Sequence, residues 1–257
     1  MDINKENLEI SKTLSLWRYW MYRAFVNYSL RYRQARLGMV WPILSLMAVV
    51  IVIGLVWGIL LNKENHLEYF LYLLCGYPVW GLISGSVEQG CKDASLKTSG
   101  GIPTFSIILE RVVSVFLPFF YVLPIILIGS IWYNLQDSAF LFLFPFVLLL
   151  MVVWTTGVIS LLTSLVSIFP DIKHLLSAVM KLAFLATPII WEVGRLGEYQ
   201  KYIWFNPFYV PLEAVRSSLS GVSVEGGSIY LYFLGSSVLL FLLGMMFLRI
   251  RIDSISR

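Results

Sequence analysis

Six long apolar stretches account for most of this chain, and the charged residues are concentrated between them. Five stretches contain no charged residue, and a sixth, at about 175–191, contains only Lys181. The charge-free stretches lie at about 37–61, 69–87, 112–133, 138–170 and 226–248. A helix that crosses a bilayer needs roughly 20 mainly apolar residues, and lipid offers its backbone groups no other partner. The pattern therefore predicts an all-α integral membrane protein with six transmembrane helices.

The polar ends divide the chain into three parts. Residues 1–36 are expected to form a cytoplasmic N-terminus with an interfacial helix, 37–249 the transmembrane domain, and 250–257 a cytoplasmic tail. The interfacial helix is predicted at about 13–33, because one arc of its helical wheel is apolar and aromatic. That arc consists of Trp17, Trp20, Met21, Ala24, Phe25 and Tyr28. Such a helix either lies in the headgroup plane or is a plain juxtamembrane helix.

The last external segment, at about 192–227, is too apolar for a solvated loop and too broken for a spanning helix. Pro207 and Pro211 each remove a backbone donor. Irregular backbone at membrane depth is tolerated only where protein or a water-filled cavity surrounds it. We therefore expect one or two short re-entrant helices that close the outer mouth as a gate. The candidate gate residues are Trp204, Phe205, Phe208, Tyr209, Glu213 and Arg216.

Positive charge is distributed unequally across the predicted spans. With both termini placed in the cytoplasm, 13 lysine and arginine residues outside the spans lie on the cytoplasmic side and 4 lie outside. The cytoplasmic set is Lys5, Lys12, Arg18, Arg23, Arg31, Arg33, Arg36, Lys92, Lys97, Lys173, Arg249, Arg251 and Arg257. The external set is Lys63, Arg195, Lys201 and Arg216. This excess predicts that both termini are cytoplasmic.

Composition narrows the function classes. A mean hydropathy of +0.79 and only 13% charged residues exclude an ordinary soluble domain, in which about a quarter of residues are charged. The net charge of +4 is explained by topology, so no nucleic-acid partner is inferred. The sequence has no phosphate-binding loop and no histidine or cysteine cluster with metal-ligand spacing. We therefore expect no catalytic residue, metal or cofactor in this chain, and no energy source of its own.

Four stretches carry a family resemblance. Residues 30–42 read LRYRQARLGMVWP, 76–80 read GYPVW, 169–174 read FPDIKH, and 187–190 read TPII ahead of NP at 206–207 and EAVR at 213–216. In this order they resemble the ABC-2 type permeases, most closely the branch that exports O-antigen, capsule and related polysaccharides. Pro170 stands where the family usually has arginine, and residues 102–105 depart from its usual turn before span three.

The resemblance implies a half-transporter in the bacterial inner membrane. Two copies of the chain would form the pore, and two separate ABC ATPase subunits, which bind ATP and Mg, would dock on the cytoplasmic face. The substrate would be a glycan carried on undecaprenyl diphosphate. The loop at 91–106 occupies the place of the coupling helix, so the docking candidates are Lys92, Asp93, Lys97, Asp171 and Lys173.

Aromatic residues near the outer half of spans one and two are candidates for the substrate path, because sugar rings stack on aromatic rings. They are Trp57, Tyr69, Tyr72, Tyr77 and Trp80. The alternative is an ordinary interfacial belt of tryptophan and tyrosine. Candidates for holding the lipid diphosphate are Arg31, Arg33, Arg36 and Lys181. For the arginines the alternative is contact with anionic lipid, and for Lys181 it is snorkelling to the interface.

Three rival functions are compatible with parts of this pattern. An ABC-2 permease for a drug, a small lipid or a teichoic-acid-like polymer would share the fold. An integral membrane enzyme acting on lipid-linked sugar would need a paired acidic or histidine constellation, which is not evident. A scaffold without transport does not account for Lys181 within an apolar stretch.

Overall fold

The computed structural model describes residues 11–13, 15–60, 65–92, 103–133, 142–220 and 227–255, and all regular structure in these residues is helical. The helices are α1 (Trp17–Tyr32), α2 (Trp41–Leu60), α3 (His66–Gly90), α4 (Thr104–Tyr133), α5 (Phe144–Ile168), α6 (Ile172–Ala186), α7 (Tyr209–Ser220) and α8 (Ser228–Ile255). Two 3-10 segments, Gly38–Val40 and Val193–Phe205, precede α2 and α7 respectively.

Five helices are long and apolar enough to cross a membrane. They are Gly38–Leu60, His66–Gly90, Thr104–Trp132, Phe144–Ile168 and Ser228–Ile252. Each is at least 23 residues long, which exceeds the roughly 20 residues that a bilayer requires. The prediction of an all-α membrane protein is confirmed, and these helices correspond to five of the six predicted spans.

The sixth predicted span corresponds to α6, which is shorter than its apolar stretch. It has 15 residues, about 22 Å of helix, and it ends at Ala186. Thr187 is extended, and Pro188 follows it, so the helix does not continue. The run at 138–170 is likewise not one long helix, because α5 begins at Phe144.

The centre of the bundle is formed by α3 and α5. In each, 61% of the most apolar window is buried, whereas the corresponding figure for α2 and α8 is 22%. The helix α3 packs against α2, α4, α5 and α7, and α5 packs chiefly against α8. At the α5–α8 crossing, a Cβ added to Gly157 would lie 2.6 Å from Leu240 backbone carbon, so only glycine permits this approach.

Two shorter helices set up the two ends of the bundle. Helix α1 packs against α4 through Ala24 and Tyr28, while Trp17, Met21 and Phe25 remain about half exposed. The predicted apolar arc is therefore divided between protein contact and an exposed edge. At the other end, α7 packs between α3, α5 and α8, and 10 of its 12 residues are buried. A short helix inside the bundle is the arrangement expected of a re-entrant element.

Candidate functional site

At the end of the bundle where α1 lies, three helices are joined by charged side chains. Glu110 on α4 accepts a hydrogen bond of 3.0 Å from Asn27 Nδ2 and pairs with Arg23 Nε at 3.2 Å. Both partners are on α1, so this carboxylate fixes α1 against α4. Glu110 is 9% exposed, and its two contacts satisfy the charge that burial would otherwise penalise.

The neighbouring Arg111 joins α4 to α3 and α5. Its Nη1 donates to the Gln89 carbonyl and to Thr163 Oγ1, each at 3.0 Å. The Thr163 hydroxyl in turn donates to the Gly90 carbonyl at 3.3 Å. The last carbonyls of α3, which have no partner within their own helix, are thereby bonded. This network holds the end of α3 in a defined position.

A cavity of about 270 Å³, called here the α1 cavity, lies between α1, the end of α3 and the beginning of α4. Its charged lining residues are Arg23, Arg31, Lys92, Glu110 and Arg111. Four of these side chains are cationic and one is a carboxylate, so the cavity is strongly positive. Partial burial, together with the charges of Arg31 and Arg111, lowers the pKa of Lys92.

The structure separates the four residues that the sequence proposed for the lipid diphosphate. Arg31 lines the α1 cavity, whereas Arg33 and Arg36 are exposed beside it and are not part of its lining. Lys181 lies on α6 and is also exposed. Sequence reasoning missed Arg23 and Arg111 as cavity residues and considered Lys92 only for docking. Their convergence depends on contacts between helices that no local pattern encodes.

At the opposite end, a buried ion pair occupies α7. Arg216 donates to the Glu213 carboxylate, and the two side chains are 4% and 3% exposed. Arg216 Nη1 also donates to the Pro188 carbonyl at 2.6 Å, and the guanidinium lies 4.1 Å from the Tyr72 ring centroid. The sequence analysis counts Arg216 among the four basic residues outside the membrane. In the structure it is enclosed by protein.

The turn that follows α6 is bound by side chains from α3 and from the chain before α7. Tyr69 donates to the Ile190 carbonyl at 2.7 Å, and Tyr72 donates to the carbonyls of Pro188 and Trp191. Asn206 Nδ2 donates to Thr187 Oγ1 at 2.9 Å. Tyr69 and Tyr72 therefore hold this turn through their hydroxyl groups in the described conformation.

The other aromatic candidates occupy different environments. Trp80 is buried and packs edge-on against Phe208, with ring centroids 5.8 Å apart. Tyr77 lines a second cavity of about 270 Å³ between α2, α3 and α4. Trp57 is 38% exposed on the outer surface of α2. Tyr77 and Trp80 both pack against Phe184 of α6, with ring centroids 6.4 Å and 5.9 Å away, whereas Trp57 lies on a different helix.

The aromatic gate candidates differ in how far their side chains are buried. Tyr209 is fully buried, Phe208 and Trp204 are partly buried, and Phe205 is 84% exposed. Phe205 continues a row of stacked, exposed rings that sequence reasoning missed, formed with Tyr199 and Tyr202. The spacing of three residues in a 3-10 segment aligns these rings on one face. The row borders an apolar groove of about 610 Å³ that α6 completes.

The proposed docking residues are only partly described. Asp171 is exposed just before α6, Lys173 is partly buried two residues later, and Lys92 is exposed in the α1 cavity. Asp93 and Lys97 lie outside the described residues. Within the described part of the chain, no three histidine, cysteine or acidic side chains are grouped as metal ligands would be.

Comparison with known proteins places this architecture in a family. Residues 17–220 match the family described as ABC-2 type transporter. The chain is 25% identical over 172 residues to the O-antigen export system permease protein RfbA of Myxococcus xanthus, covering 65% of this chain and 66% of that protein. It is 22% identical over 207 residues to a protein of the same name from Klebsiella pneumoniae, covering 79% and 78%. Because the family match includes α1 to α7, this multi-pass membrane chain belongs to the ABC-2 type transporter family.

Proposed function

We propose that this chain is the membrane-spanning subunit of an ATP-driven exporter that moves lipid-linked polysaccharide, of O-antigen or capsule type, across the bacterial inner membrane. The observation that carries the proposal is the similarity to O-antigen export permeases over most of the chain, on a fold of apolar helices. The family supports a transport subunit and not an enzyme.

The proposed orientation has both termini in the cytoplasm. The 13 to 4 distribution of basic residues supports it, and it gives the α1 cavity a cytoplasmic location. The turn after α6 and the segment before α7 then lie toward the outside. A lipid-linked substrate would meet cationic side chains first and aromatic side chains last.

The proposed partners are a second copy of this chain and two ABC ATPase subunits that bind ATP and Mg. Helix α6 supports the first proposal, because Leu175, Leu182 and Leu185 are each more than 60% exposed and none of its residues is buried. Lys181 lies on the same helix and would line the path between the copies. Lys92, Asp171 and Lys173 remain docking candidates on the cytoplasmic side.

The substrate is proposed to be a glycan linked to undecaprenyl diphosphate. Arg31, Arg33, Arg36 and Lys181 are the cations assigned to its headgroup, since guanidinium groups match phosphate oxygens. Phe208 and Trp204, near the entrance to α7, are assigned to the outer gate because they are partly buried and are held through ring contacts, Phe208 with Trp80 and Trp204 with Tyr209. Glu213, Arg216 and Tyr209 support the gate from within the bundle.

Deletion of the gene tests this function. We expect the mutant to lose surface polysaccharide and to accumulate lipid-linked glycan on the cytoplasmic side of the membrane. A plasmid copy of the wild-type chain should reverse both effects, and a copy truncated after residue 168 serves as the matched negative control. If lipid-linked glycan does not accumulate but export of a drug, small lipid or teichoic-acid-like polymer fails, the alternative ABC-2 substrate class is correct.

A further inference from the structure

The α1 cavity contains more positive charge than its own residues neutralise. Glu110 is its only carboxylate among the described lining residues, and that carboxylate already accepts from Asn27 and pairs with Arg23. Arg111 is held by the Gln89 carbonyl and Thr163. Two cations, Arg31 and Lys92, remain at the mouth, and no described carboxylate lies within ion-pairing distance of either.

The electrostatic effect of this excess is visible at Lys92. Its pKa is lowered first by partial burial and then by the nearby charges of Arg31 and Arg111, against the opposing effect of Glu88. Cations that repel one another in a partly desolvated cavity bind an anion more strongly than dispersed surface cations do.

The cavity also has an unsatisfied polar group and a defined shape. The hydroxyl of Tyr28, which lines the cavity, is buried without a hydrogen-bond partner among the described residues. Arg111 and Gln89 are held by bonds to neighbouring helices, so this wall is fixed before any ligand arrives. A preformed wall lowers the cost of ordering side chains around a ligand.

The position of the cavity indicates an anion that belongs to a lipid. Three aromatic residues of α1 remain exposed, Trp17, Tyr22 and Phe25, at 48%, 69% and 47%. Exposed aromatic residues on a helix beside the ends of spanning helices are typical of the headgroup region. An anion bound behind α1 would therefore lie at the depth of lipid phosphates.

We propose that the α1 cavity binds the diphosphate headgroup of a polyprenyl lipid, with Arg31 and Lys92 as direct ligands. Arg111 and the Tyr28 hydroxyl form the inner wall, and Glu110 holds Arg23 at the rim. The proposal deepens the proposed function and rests on it. A guanidinium contributes a planar fork and an ammonium a compact charge, which together suit two adjacent phosphates better than one.

The test measures lipid binding to the full chain by native mass spectrometry in a neutral detergent. The probes are undecaprenyl diphosphate, phosphatidylglycerol and inorganic pyrophosphate. The test variant combines Arg31→Gln with Lys92→Gln, and the matched control combines Lys12→Gln with Arg18→Gln, a lysine and an arginine to which no headgroup role is assigned. Both variants remove two positive charges from exposed side chains at the same end of the bundle, and the control residues do not line the cavity.

We expect the test variant to bind undecaprenyl diphosphate at least roughly tenfold more weakly than wild type, and the control to change by less than about twofold. Unchanged melting temperatures verify that both variants are folded. Equal losses in the test and control variants would overturn the assignment to this cavity. An equal loss for phosphatidylglycerol would overturn the diphosphate assignment, and equally tight binding of inorganic pyrophosphate would overturn the lipid source.

The result separates this inference from the proposed function. If the deletion strain accumulates lipid-linked glycan while the test variant binds undecaprenyl diphosphate normally, the cavity assignment is wrong and the export function stands. If the deletion strain accumulates no lipid-linked glycan, the export function is wrong whatever the cavity binds.

Discussion

Arginine is used in two different ways at the two ends of this bundle. In α7, Arg216 is enclosed, paired with Glu213 and bonded to the Pro188 carbonyl, with Tyr72 against its face. In the α1 cavity, Arg31 is exposed among other cations, and Glu110, the one carboxylate among the described lining residues, is already bonded to α1. The first arrangement is neutral and complete, whereas the second is charged and open to a ligand.

The difference shows how burial and charge together distinguish structural from binding roles. Burying an unpaired charge costs several kcal/mol, so a buried arginine must have its partners within the protein. A partly exposed arginine has no such requirement and remains available to an external anion. We therefore infer a structural role for Arg216 and a ligand-binding role for Arg31.

The largest loss of stability is expected when the buried pair of Glu213 and Arg216 in α7 is broken. Arg216→Met should lower the free energy of unfolding by about 3–5 kcal/mol, because it leaves the Glu213 carboxylate buried without a partner. Thermal unfolding of the purified chain in detergent measures this loss. The double variant Glu213→Leu with Arg216→Met should recover most of the stability, since no unpaired charge remains. A single variant as stable as wild type would contradict the structural role.

The sequence predicts the spanning helices well because each depends on a local run of apolar residues. It predicts the break ahead of α7 because Pro207 acts locally, whereas Pro211 is accommodated in the first turn of α7. It predicts a short re-entrant helix here, but not that the charged Glu213 and Arg216 are buried within it. Glu213 and Arg216 neutralise each other, and Ser217 and Ser218 donate to carbonyls one turn back, so this polar segment is compatible with the core.

The candidate sites are predicted less completely. Arg31 was identified from its position at the membrane entry, but its neighbours Lys92 and Arg111 come from α3 and α4. Tyr69 and Tyr72 were identified as aromatic surfaces, whereas their hydroxyl groups hold the turn at residues 188–191. A sequence pattern gives the residue type and the helix face, but convergence between helices depends on packing over long separations.

The next largest loss of stability tests whether the arginines at the α1 end contribute less to folding than Arg216 does. Arg111→Met should lower the free energy of unfolding by about 1–3 kcal/mol, because it removes charged donors from the Gln89 carbonyl and Thr163. The same unfolding measurement applies, with Arg33→Met as the control for loss of an exposed charge. A cost equal to that of Arg216→Met would remove the distinction between the two ends.

The gate assignment predicts a functional effect with a smaller loss of stability. Phe208→Ala should lower the free energy of unfolding by about 1–2 kcal/mol, since the ring is only partly buried against Trp80. It should also raise leakage of small solutes in proteoliposomes of the full transporter before export is abolished. Phe205→Ala is the control, because that ring is 84% exposed. A sealed Phe208→Ala transporter with normal export would exclude Phe208 from the gate.

A smaller change sharpens the description of the α1 cavity. Glu110→Gln should lower the free energy of unfolding by only about 0.5–1 kcal/mol. Asn27 can still donate to the amide oxygen, and the ion pair with Arg23 is partly exposed. The variant should bind undecaprenyl diphosphate several-fold more tightly, because the one lining carboxylate has lost its charge. Weaker binding would indicate that Glu110 orders the cations and that its charge does not oppose the ligand.

The smallest effect comes from Lys92 itself. Its pKa in the folded chain lies below the ordinary value of 10.5, so the folded state disfavours the charged form. This penalty is fully present at neutral pH and is relieved as the pH rises through the lowered pKa. Lys92→Gln should therefore stabilise the ligand-free chain at pH 7 by about a few tenths of a kcal/mol, because solvent screens an exposed side chain.

The difference in free energy of unfolding between Lys92→Gln and wild type should shrink as the pH rises through the lowered pKa of Lys92. It should also shrink in high salt, which screens the repulsion from Arg31 and Arg111. Comparing the two chains at each pH cancels the titration of the other groups. Arg33→Gln provides the control for removal of a neighbouring charge outside the cavity. A Lys92→Gln variant that is less stable than wild type at pH 7 would mean that Lys92 has a stabilising partner in the folded chain. The α1 cavity would then not contain an excess of positive charge at Lys92, and its contrast with the neutral ion pair in α7 would not hold there.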